Sequence, residues 1–486
     1  MTAEVTAALD RLKRGLTTQQ RVDVNEGARG LLAARAPLGP QWQALATALV
    51  RNGEITLALE AMDRFVEAAA GSAPARFARA VMLAQTGRLD RAAAEIAALP
   101  ADVPHAASNA FLRGSLALNR GFPAEARPFL ERAVAKRPGA GQAWLALTEI
   151  ADFRAEPGLA ERLEHAWAQP AGTPADRAAL GYALGRARHQ RKNHAGAFAA
   201  FAEGAGLARA QAGGRVSAWR APAQTALAFP PSLIAEVNAR IDEDHRRVIF
   251  VTGLPRSGST LVQQILTRHP AVSGGGEELG LFRILAQEVG GTDAPALRRW
   301  LDAGNDPNSL VRLYLHLASE RLGPDGRFVD KTLEAGSYLG LLLALFPRAP
   351  IFWCRREPID NGWSAFRTYF ARGVEWSLDL AETGRRVAAD AQALDHWTKA
   401  APRRFMTVDN ADLVADPEPM IRAISAGADL DFDAAMLRPE EGGADVTTAS
   451  TAQVRRPINA AGIGAAEPYR PWLGPMIESH ATASGQ

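Results

Sequence analysis

A spacing of 34 residues recurs along the N-terminal part of the chain and limits the folds open to it. Gly53, Gly87 and Gly121 follow one another at this interval. An alanine stands five residues after each glycine, and the next position of the series is again alanine: Ala58, Ala92, Ala126 and Ala160. A fixed interval of this length indicates one supersecondary unit that is used several times.

Tetratricopeptide repeats, which are hairpins of two helices, have this period. The glycines suit the turn of each hairpin, and the alanines suit a second helix that lies too close to the first for a larger side chain. Each hairpin leaves an apolar face uncovered, so neighbours must stack. We therefore predict a tetratricopeptide-repeat helical solenoid over residues 1–215, with a generic alanine-rich helical bundle as the alternative.

The sequence changes character after this segment. Residues 216–246 hold proline pairs and small residues and are predicted to be a linker. The run VIFVTG that follows predicts a β-strand, and the glycine-containing turn and helix-like stretch after it are typical of an α/β domain. Residues 247–486 are therefore predicted to form such a domain, with further strands at 351–354 and 404–408.

The loop GLPRSGST follows the first predicted strand and precedes an amphipathic helix. Backbone N–H groups and the N-terminus of a helix converge on a phosphate in this arrangement. Gly253, Gly258 and Thr260 match the nucleotide-triphosphatase signature GxxxxGK[ST]. Ser259 replaces its lysine, and Arg256 lies within the loop. We predict a cradle for the 5′-phosphate of a nucleoside and not for a triphosphate; a glycine–proline turn without a ligand is the alternative.

The motif PRSGSTL resembles the 5′-phosphosulfate-binding motif of sulfotransferases that use 3′-phosphoadenosine-5′-phosphosulfate (PAPS). Residues 247–473 are similar to the catalytic domain of tyrosylprotein sulfotransferases, and the arrangement with repeats resembles a bacterial subgroup. The resemblance implies a P-loop-like domain with a parallel central sheet, and transfer of a sulfuryl group from PAPS to a hydroxyl, such as that of peptide tyrosine. It also implies adenosine 3′,5′-bisphosphate (PAP) as the product, no metal, and donor binding by Arg256, Ser257, Gly258, Ser259 and Thr260.

The resemblance also assigns catalytic roles downstream. An acidic residue in the segment HPAVSGGGEEL would act as the general base. The count from His-Pro favours Glu277, whereas alignment of the Glu-Glu pair favours Glu278; both could instead be solvated loop charges. Lys331 resembles a lysine that offsets charge on the leaving oxygen, with an isolated surface lysine as the alternative.

A second phosphate motif is implied by Arg356 and Ser364. Their spacing resembles that of a 3′-phosphate site, in which a guanidinium and a hydroxyl donate to the same anion. Arg355 is the alternative to Arg356. The tail segment 448–464 resembles the last donor loop of the family, or else is an ordinary basic surface loop, and its candidate residues are Ser450, Gln453, Arg455 and Arg456.

Two segments depart from the family pattern. Asn410 and Ala411 stand where the family has Tyr-Glu, and Ala465 and Ala466 stand where it has a tryptophan and a basic residue. These departures leave open an altered adenosine subsite. They also leave open a second function, that of a catalytically decayed nucleotide-binding repeat scaffold for protein partners. The missing loop lysine argues against a P-loop kinase.

Composition restricts the partners and the compartment. The formal net charge of +2 does not favour a nucleic-acid partner. The single cysteine, Cys354, allows no internal disulfide or cysteine zinc site, which suits the reducing cytoplasm. Neither a secretory signal nor an apolar run of about 20 residues is found, so we expect no membrane span. The array is expected to recruit a protein or peptide acceptor, or to mediate homo-oligomerisation.

Overall fold

The computed structural model describes residues 2–169, 172–277, 280–333, 335–370, 373–442 and 457–485. Within these residues an array of helices precedes a parallel sheet that is covered by helices on both faces. The helices of the array are α1 (Ala3–Thr18), α2 (Arg21–Ala33), α3 (Gln41–Arg51), α4 (Ile55–Ala68), α5 (Ala73–Gln85), α6 (Leu89–Ala97), α7 (Ala106–Asn119), α8 (Pro123–Lys136), α9 (Gly141–Ile150), α10 (Pro157–Ala168), α11 (Pro174–Gln190) and α12 (His194–Ala212).

Turns between paired helices of the array hold the periodic glycines. Gly53, Gly87 and Gly121 lie between α3 and α4, α5 and α6, and α7 and α8, with φ of +80°, +76° and +90°. This left-handed region favours glycine. The periodic alanines are buried on the second helix of each hairpin, and they are Ala58, Ala92, Ala126 and Ala160. The 34-residue spacing therefore corresponds to stacked helical hairpins.

Helical segments also connect the array to the sheet. A 3₁₀ turn (Gly213–Ser217) is followed by α13 (Arg220–Leu227) and α14 (Pro231–Asn238). Leu233 and Val237 of α14 are buried in the core on one side of the sheet. The segment predicted as a linker is thus packed against the domain that follows it, while the boundaries at 215 and 247 stay predictions.

The sheet has five parallel strands in the order β2-β3-β1-β4-β5. Their bounds are β1 (Val248–Gly253), β2 (Val272–Glu277), β3 (Arg327–Lys331), β4 (Ile351–Arg355) and β5 (Phe405–Asp409). A helical array followed by an α/β domain with a parallel central sheet is the predicted fold class, which is confirmed.

Helices that follow β1 complete the domain. They are α15 (Ser259–Thr267), α16 (Leu281–Val289), α17 (Ala294–Asp302), α18 (Pro307–Leu322), α19 (Leu339–Leu345), α20 (Pro358–Phe366), α21 (Leu380–Ala400), α22 (Asn410–Ala415), α23 (Pro417–Gly427) and α24 (Gly474–Ser484). Short 3₁₀ helices occupy Ala335–Ser337, Glu375–Leu378, Ala434–Leu437, Pro439–Glu441 and Glu467–Trp472. In the described part of the chain no helix has the length and apolar character to cross a membrane.

Both faces of the sheet are buried at its strands β1 and β4, which explains why these two strands are almost continuously apolar. One face packs against α15 and α23, and the other against α14, α16, α18 and α19. Because all strands run in one direction, their carboxyl ends meet at a single edge of the sheet. In open α/β sheets this edge is where ligands bind.

The C-terminal end of the array shares a hydrophobic core with the sheet domain. Phe201 of α12 meets the Trp363 ring of α20 edge-on, with ring centroids 5.8 Å apart. Trp363 in turn packs on Tyr469, at 4.1 Å between centroids. Phe198 stacks on Trp472 at 5.5 Å. These aromatic rings form one continuous cluster, so the array is not a loosely tethered module.

The N-terminal end of the array contacts the same domain through polar groups. Glu54 is almost fully buried and accepts hydrogen bonds from Arg21, at 2.5 Å, and from Asn25, at 2.8 Å. Its other carboxylate oxygen lies 3.3 Å from the Nε2 atom of His316 on α18. The backbone N–H of Thr56 donates to the carboxylate of Glu320, also on α18, at 2.6 Å. The array is therefore anchored to the sheet domain at both of its ends.

Candidate functional site

A cavity of about 220 Å³ opens at the carboxyl ends of β1 and β4. The loop after β1, the first turn of α15, helix α20 and the segment 457–463 line it. β2 and β3 lie on one side of β1, and β4 and β5 on the other. After β1 the chain continues towards β2 on one side of the sheet, and after β4 it continues towards β5 on the other side. Sheets of this kind bind nucleotides between two strands whose connections diverge in this way.

Glycine is required at two points of the loop after β1. Gly253 has φ +126°, and a Cβ atom there would lie 2.3 Å from the carbonyl oxygen of Cys354. Gly258 has φ +100°, and a Cβ atom there would lie 2.5 Å from Oδ1 of Asn410. Helix α15 begins at the next residue, Ser259, so the N–H groups of its first turn are left without partners inside the helix. This is the backbone arrangement that the loop sequence predicts for an anion cradle.

Lys331 ends β3 beside this loop. Its side chain is fully buried, and its Nζ atom donates to Oγ1 of Thr260 at 3.0 Å. It is therefore not a surface lysine. On the neighbouring strand β2, the backbone of Glu277 pairs in register with that of Lys331. The side chain of Glu277 and all of Glu278 lie outside the described residues, so the choice between the two glutamates stays a prediction.

The structure brings the second predicted phosphate motif to the same cavity. Ser364 on α20 is buried, and its Oγ atom accepts a hydrogen bond of 3.2 Å from Nε of Arg256 in the loop after β1. Arg356 donates to the backbone carbonyl of Arg256 at 3.4 Å and to that of Gly462. Arg355 instead has a side chain that is 57% exposed. Of the two adjacent arginines, Arg356 is the one that lines the cavity.

Two buried polar side chains of α20, which sequence reasoning missed, hold the walls of the cavity together. Asp360 accepts hydrogen bonds from the backbone N–H groups of Gly464, at 2.7 Å, and Ala466, at 2.8 Å. Asn361 donates to the carbonyl of Pro255 at 2.8 Å. The signal was available, since both residues lie about one helical turn before Ser364. Because Asp360 binds backbone groups, its contact with Ala466 does not need the side chain that the family has there.

The remaining tail candidates, Ser450, Gln453, Arg455 and Arg456, lie outside the described residues and stay predictions.

A third arginine, Arg367, also lines the cavity and was not predicted. It follows Ser364 by three residues, a helical spacing that could have indicated it. Burial, and then the like charges of Arg367, Arg186 and Arg356, lower the pKa of Arg256 to about 9. Burial and the charge of Arg356 likewise lower the pKa of Arg367 to about 10. Arg256 and Arg367 are still charged at neutral pH, and a bound anion would relieve the repulsion between these guanidinium groups.

Polar groups without protein partners point to a ligand of the same kind. The Nε atom of Arg356 and the Oγ atom of Ser257 are buried and have no hydrogen-bond partner among the described residues. The described lining of the cavity includes three arginines and no aspartate or glutamate. A ligand with several anionic oxygen atoms would accept hydrogen bonds from the Nε atom of Arg356 and the Oγ atom of Ser257, and would suit the cationic lining.

Comparison with known proteins gives a match for the sheet domain. Residues 248–434 match the model of the Sulfotransferase family. An uncharacterized protein of Aquifex aeolicus (strain VF5) is 27% identical over 369 residues, which cover 73% of this chain and 47% of that protein. The protein-tyrosine sulfotransferase of Drosophila melanogaster is 26% identical over 247 residues, 43% of this chain and 45% of that protein. The chain thus spans about half the length of these curated relatives.

Among solved structures, the sulfotransferase domain of the Synechococcus PCC 7002 olefin synthase is 22% identical, with a TM-score of 0.36. The match covers 50% of this chain and 96% of that domain. The matched residues 248–434 contain all five strands and the loop after β1, while the segment 457–463 of the cavity wall lies outside the match. Residues 248–434 of this chain are therefore similar to the sulfotransferase family.

Proposed function

We propose that this protein transfers a sulfuryl group from PAPS to a hydroxyl group of an acceptor. One observation carries the proposal: the loop after β1 and the Arg356–Ser364 pair, about 100 residues away in sequence, meet around one cationic cavity. A nucleotide with phosphates at both ends of its ribose needs two anion sites in one cavity. A triphosphate would instead favour the loop lysine that Ser259 replaces.

The residues present fit such a donor. The loop N–H groups, with the hydroxyls of Ser257, Ser259 and Thr260, would hold the 5′-phosphosulfate, and Arg356 with Ser364 would hold the 3′-phosphate. Apolar side chains line part of the remaining cavity and would contact the adenine ring; they are Leu261, Val414, Ile458 and Ile463. We propose that these aliphatic groups take over where Asn410 replaces the tyrosine of the family.

The same residues suit the chemistry of transfer. PAPS would supply the sulfuryl group when bound, with PAP as the other product. Lys331, held by Thr260, places a fixed cation where negative charge would develop on the leaving oxygen. We propose that the carboxylate of Glu277 accepts the proton of the acceptor hydroxyl. Positioned groups and preorganised charge would then provide most of the rate enhancement.

We further propose that the array recruits a protein or peptide acceptor. Its anchoring at both ends supports this role, because a fixed array holds any bound partner at one position relative to the cavity. Removal of residues 1–215 would not test recruitment cleanly. Phe198 and Phe201 belong to the aromatic cluster around Trp363, so the deletion would expose the core of the sheet domain.

Two measurements test the proposed function. Calorimetric titration with PAP should show binding, and incubation with radiolabelled PAPS and an extract of the host should label one class of acceptor. Binding of PAP without any labelled product would favour the nucleotide-binding scaffold. Absence of PAP binding would overturn the proposal.

The adjacent glutamates provide a matched pair of variants. Glu277→Gln should lower the transfer rate by about 100-fold or more, because the proton acceptor is lost, and should leave PAP affinity unchanged. Glu278→Gln should have a small effect on both. The opposite result would make Glu278 the base.

A further inference from the structure

Arg186 is a residue of the array that faces the sheet domain. It lies on α11 between two residues of the same helix face, four and three positions away. The ring of Tyr182 packs against Tyr369, just after α20, with centroids 5.2 Å apart. The Nδ1 atom of His189 lies 2.7 Å from the hydroxyl of Tyr469. These two contacts place Arg186 against the part of the sheet domain that carries Arg367.

Arg186 is paired with a carboxylate from another helix of the array. Its Nη1 atom donates to Oε1 of Glu149 on α9 at 3.2 Å. Both side chains are largely buried, with 22% and 20% of their surfaces exposed. A carboxylate buried to this degree would be costly to leave unpaired.

The pair acts electrostatically on the arginines of the cavity. The charge of Arg186 lowers the pKa of both Arg256 and Arg367, and the charge of Glu149 raises the pKa of Arg256. Two charged residues of the array therefore lie within electrostatic range of the donor-binding loop. Glu149 is an anion at a position from which it can attract Arg256.

We propose that Arg186 is a positioning residue of the donor site, contributed by the array: by engaging Glu149, it prevents this carboxylate from competing with the donor's phosphates for Arg256 and Arg367. The inference rests on the proposed function, since the anions in question are those of PAPS and PAP. Without Arg186, the largely buried carboxylate of Glu149 would be attracted to the cations of the cavity, Arg256 among them. The array would thus help to set the affinity for the donor, in addition to any contact with an acceptor.

The same helix offers a matched control. Arg188 forms a two-point ion pair with Glu164 of α10, with N–O distances of 2.9 and 2.7 Å. Arg188 is 26% exposed, close to the 22% of Arg186, while Glu164 is 39% exposed and Glu149 is 20% exposed. Two residues along a helix is more than half a turn, so Arg188 points away from the face that Arg186 shares with Tyr182.

The test is a double-mutant cycle read out by calorimetric titration of the full-length protein with PAP. Arg186→Gln should weaken PAP binding by about tenfold, through the loss of one positive charge and the release of Glu149. Glu149→Gln should leave the affinity unchanged or increase it by up to about threefold, because the competing carboxylate is gone. The double variant should recover most of the loss. Arg188→Gln and Glu164→Gln should bind as the wild type does.

A purely structural role predicts a different pattern. If the pair only held α9 and α11 together, Arg186→Gln and Glu149→Gln would weaken binding equally, and both would lower the melting temperature; this outcome would overturn the inference. Equal affinity of Arg186→Gln and wild type would do the same. Should Arg186→Gln not fold, Arg186→Lys must keep wild-type affinity within about threefold and Glu149→Gln must not weaken it. Failure of the wild type to bind PAP would overturn the proposed function and this inference with it.

Discussion

The array and the sheet domain bury their residues according to different rules. In the array, helices approach closely through small residues: a Cβ atom at Gly181 of α11 would lie 2.9 Å from the Cα atom of Gly204 on α12. In the sheet domain, polar and charged side chains are buried around the cavity, among them Lys331 at the end of β3 and Ser364 on α20. The array sequence thus specifies close packing of helices, whereas the residues around the cavity include polar groups whose burial is costly. Such local exceptions are expected at functional sites.

The buried network beside Lys331 shows how the sheet domain makes that burial possible. The preceding residue, Asp330, is fully buried, and burial raises its pKa. The hydroxyls of Tyr314 and Thr332 donate to its two carboxylate oxygens, at 2.5 and 2.6 Å. The end of β3 is therefore held by side-chain hydrogen bonds as well as by the sheet, which orients Lys331 towards the loop after β1.

The largest effect is expected for the adjacent arginines at the end of β4, which test the sheet-domain side of this contrast. Arg356→Gln should weaken PAP binding by about 100-fold, because a charged donor to the 3′-phosphate is lost. Arg355→Gln should change the affinity by less than about threefold, since its side chain is mostly exposed. Calorimetric titration measures both. Similar losses for the two variants would mean that general positive charge, and not a shaped site, binds the nucleotide.

An intermediate effect is expected for glycines of the array. Gly181→Ala should destabilise the protein by about 1–3 kcal/mol, because the added methyl group overlaps the backbone of α12. Gly206→Ala on α12 should stabilise it by up to about 1 kcal/mol, since no atom lies within 4 Å of its Cβ position. Denaturant unfolding provides the measurement. Equal changes in stability at both positions would show that α11 and α12 do not pack closely at Gly181.

The smallest effect concerns the boundary between the two regions. Burial, and then the charges of Arg367 and His194, lower the pKa of His189 from 6.5 to about 4. Between these pH values the unfolded chain binds a proton that the folded protein does not, so stability should fall as the pH drops from 6.5 to 4 and then level off. The contribution is roughly 1–2 kcal/mol, because the ring is partly exposed.

Unfolding of wild type and His189→Asn at a series of pH values isolates this component. The variant should lack the contribution of His189, so its stability should depend less on pH between 4 and 6.5. An identical pH dependence of the two proteins would place the titration elsewhere.

Much of the fold could be predicted from patterns that extend over only a few residues of the sequence. The 34-residue interval predicts the hairpins because each turn repeats the same local requirement for glycine. The strand, loop and helix around Gly253 and Gly258 are contiguous, so one motif specifies the cradle and its place at a strand end. The spacing of Arg356 and Ser364 is also local, which is why both could be named before their position in space was known.

The sequence by itself therefore determined the helical hairpins, the strand, loop and helix around Gly253, and the spacing of Arg356 and Ser364, all of which depend on neighbours along the chain. Only the tertiary structure decided that Arg356 and not Arg355 faces the cavity, that Asp360 holds the last loop, and that Arg186 approaches from the array. These contacts join residues that are far apart in sequence. They depend on how helices pack in three dimensions, and no periodicity or spacing along the chain records that packing.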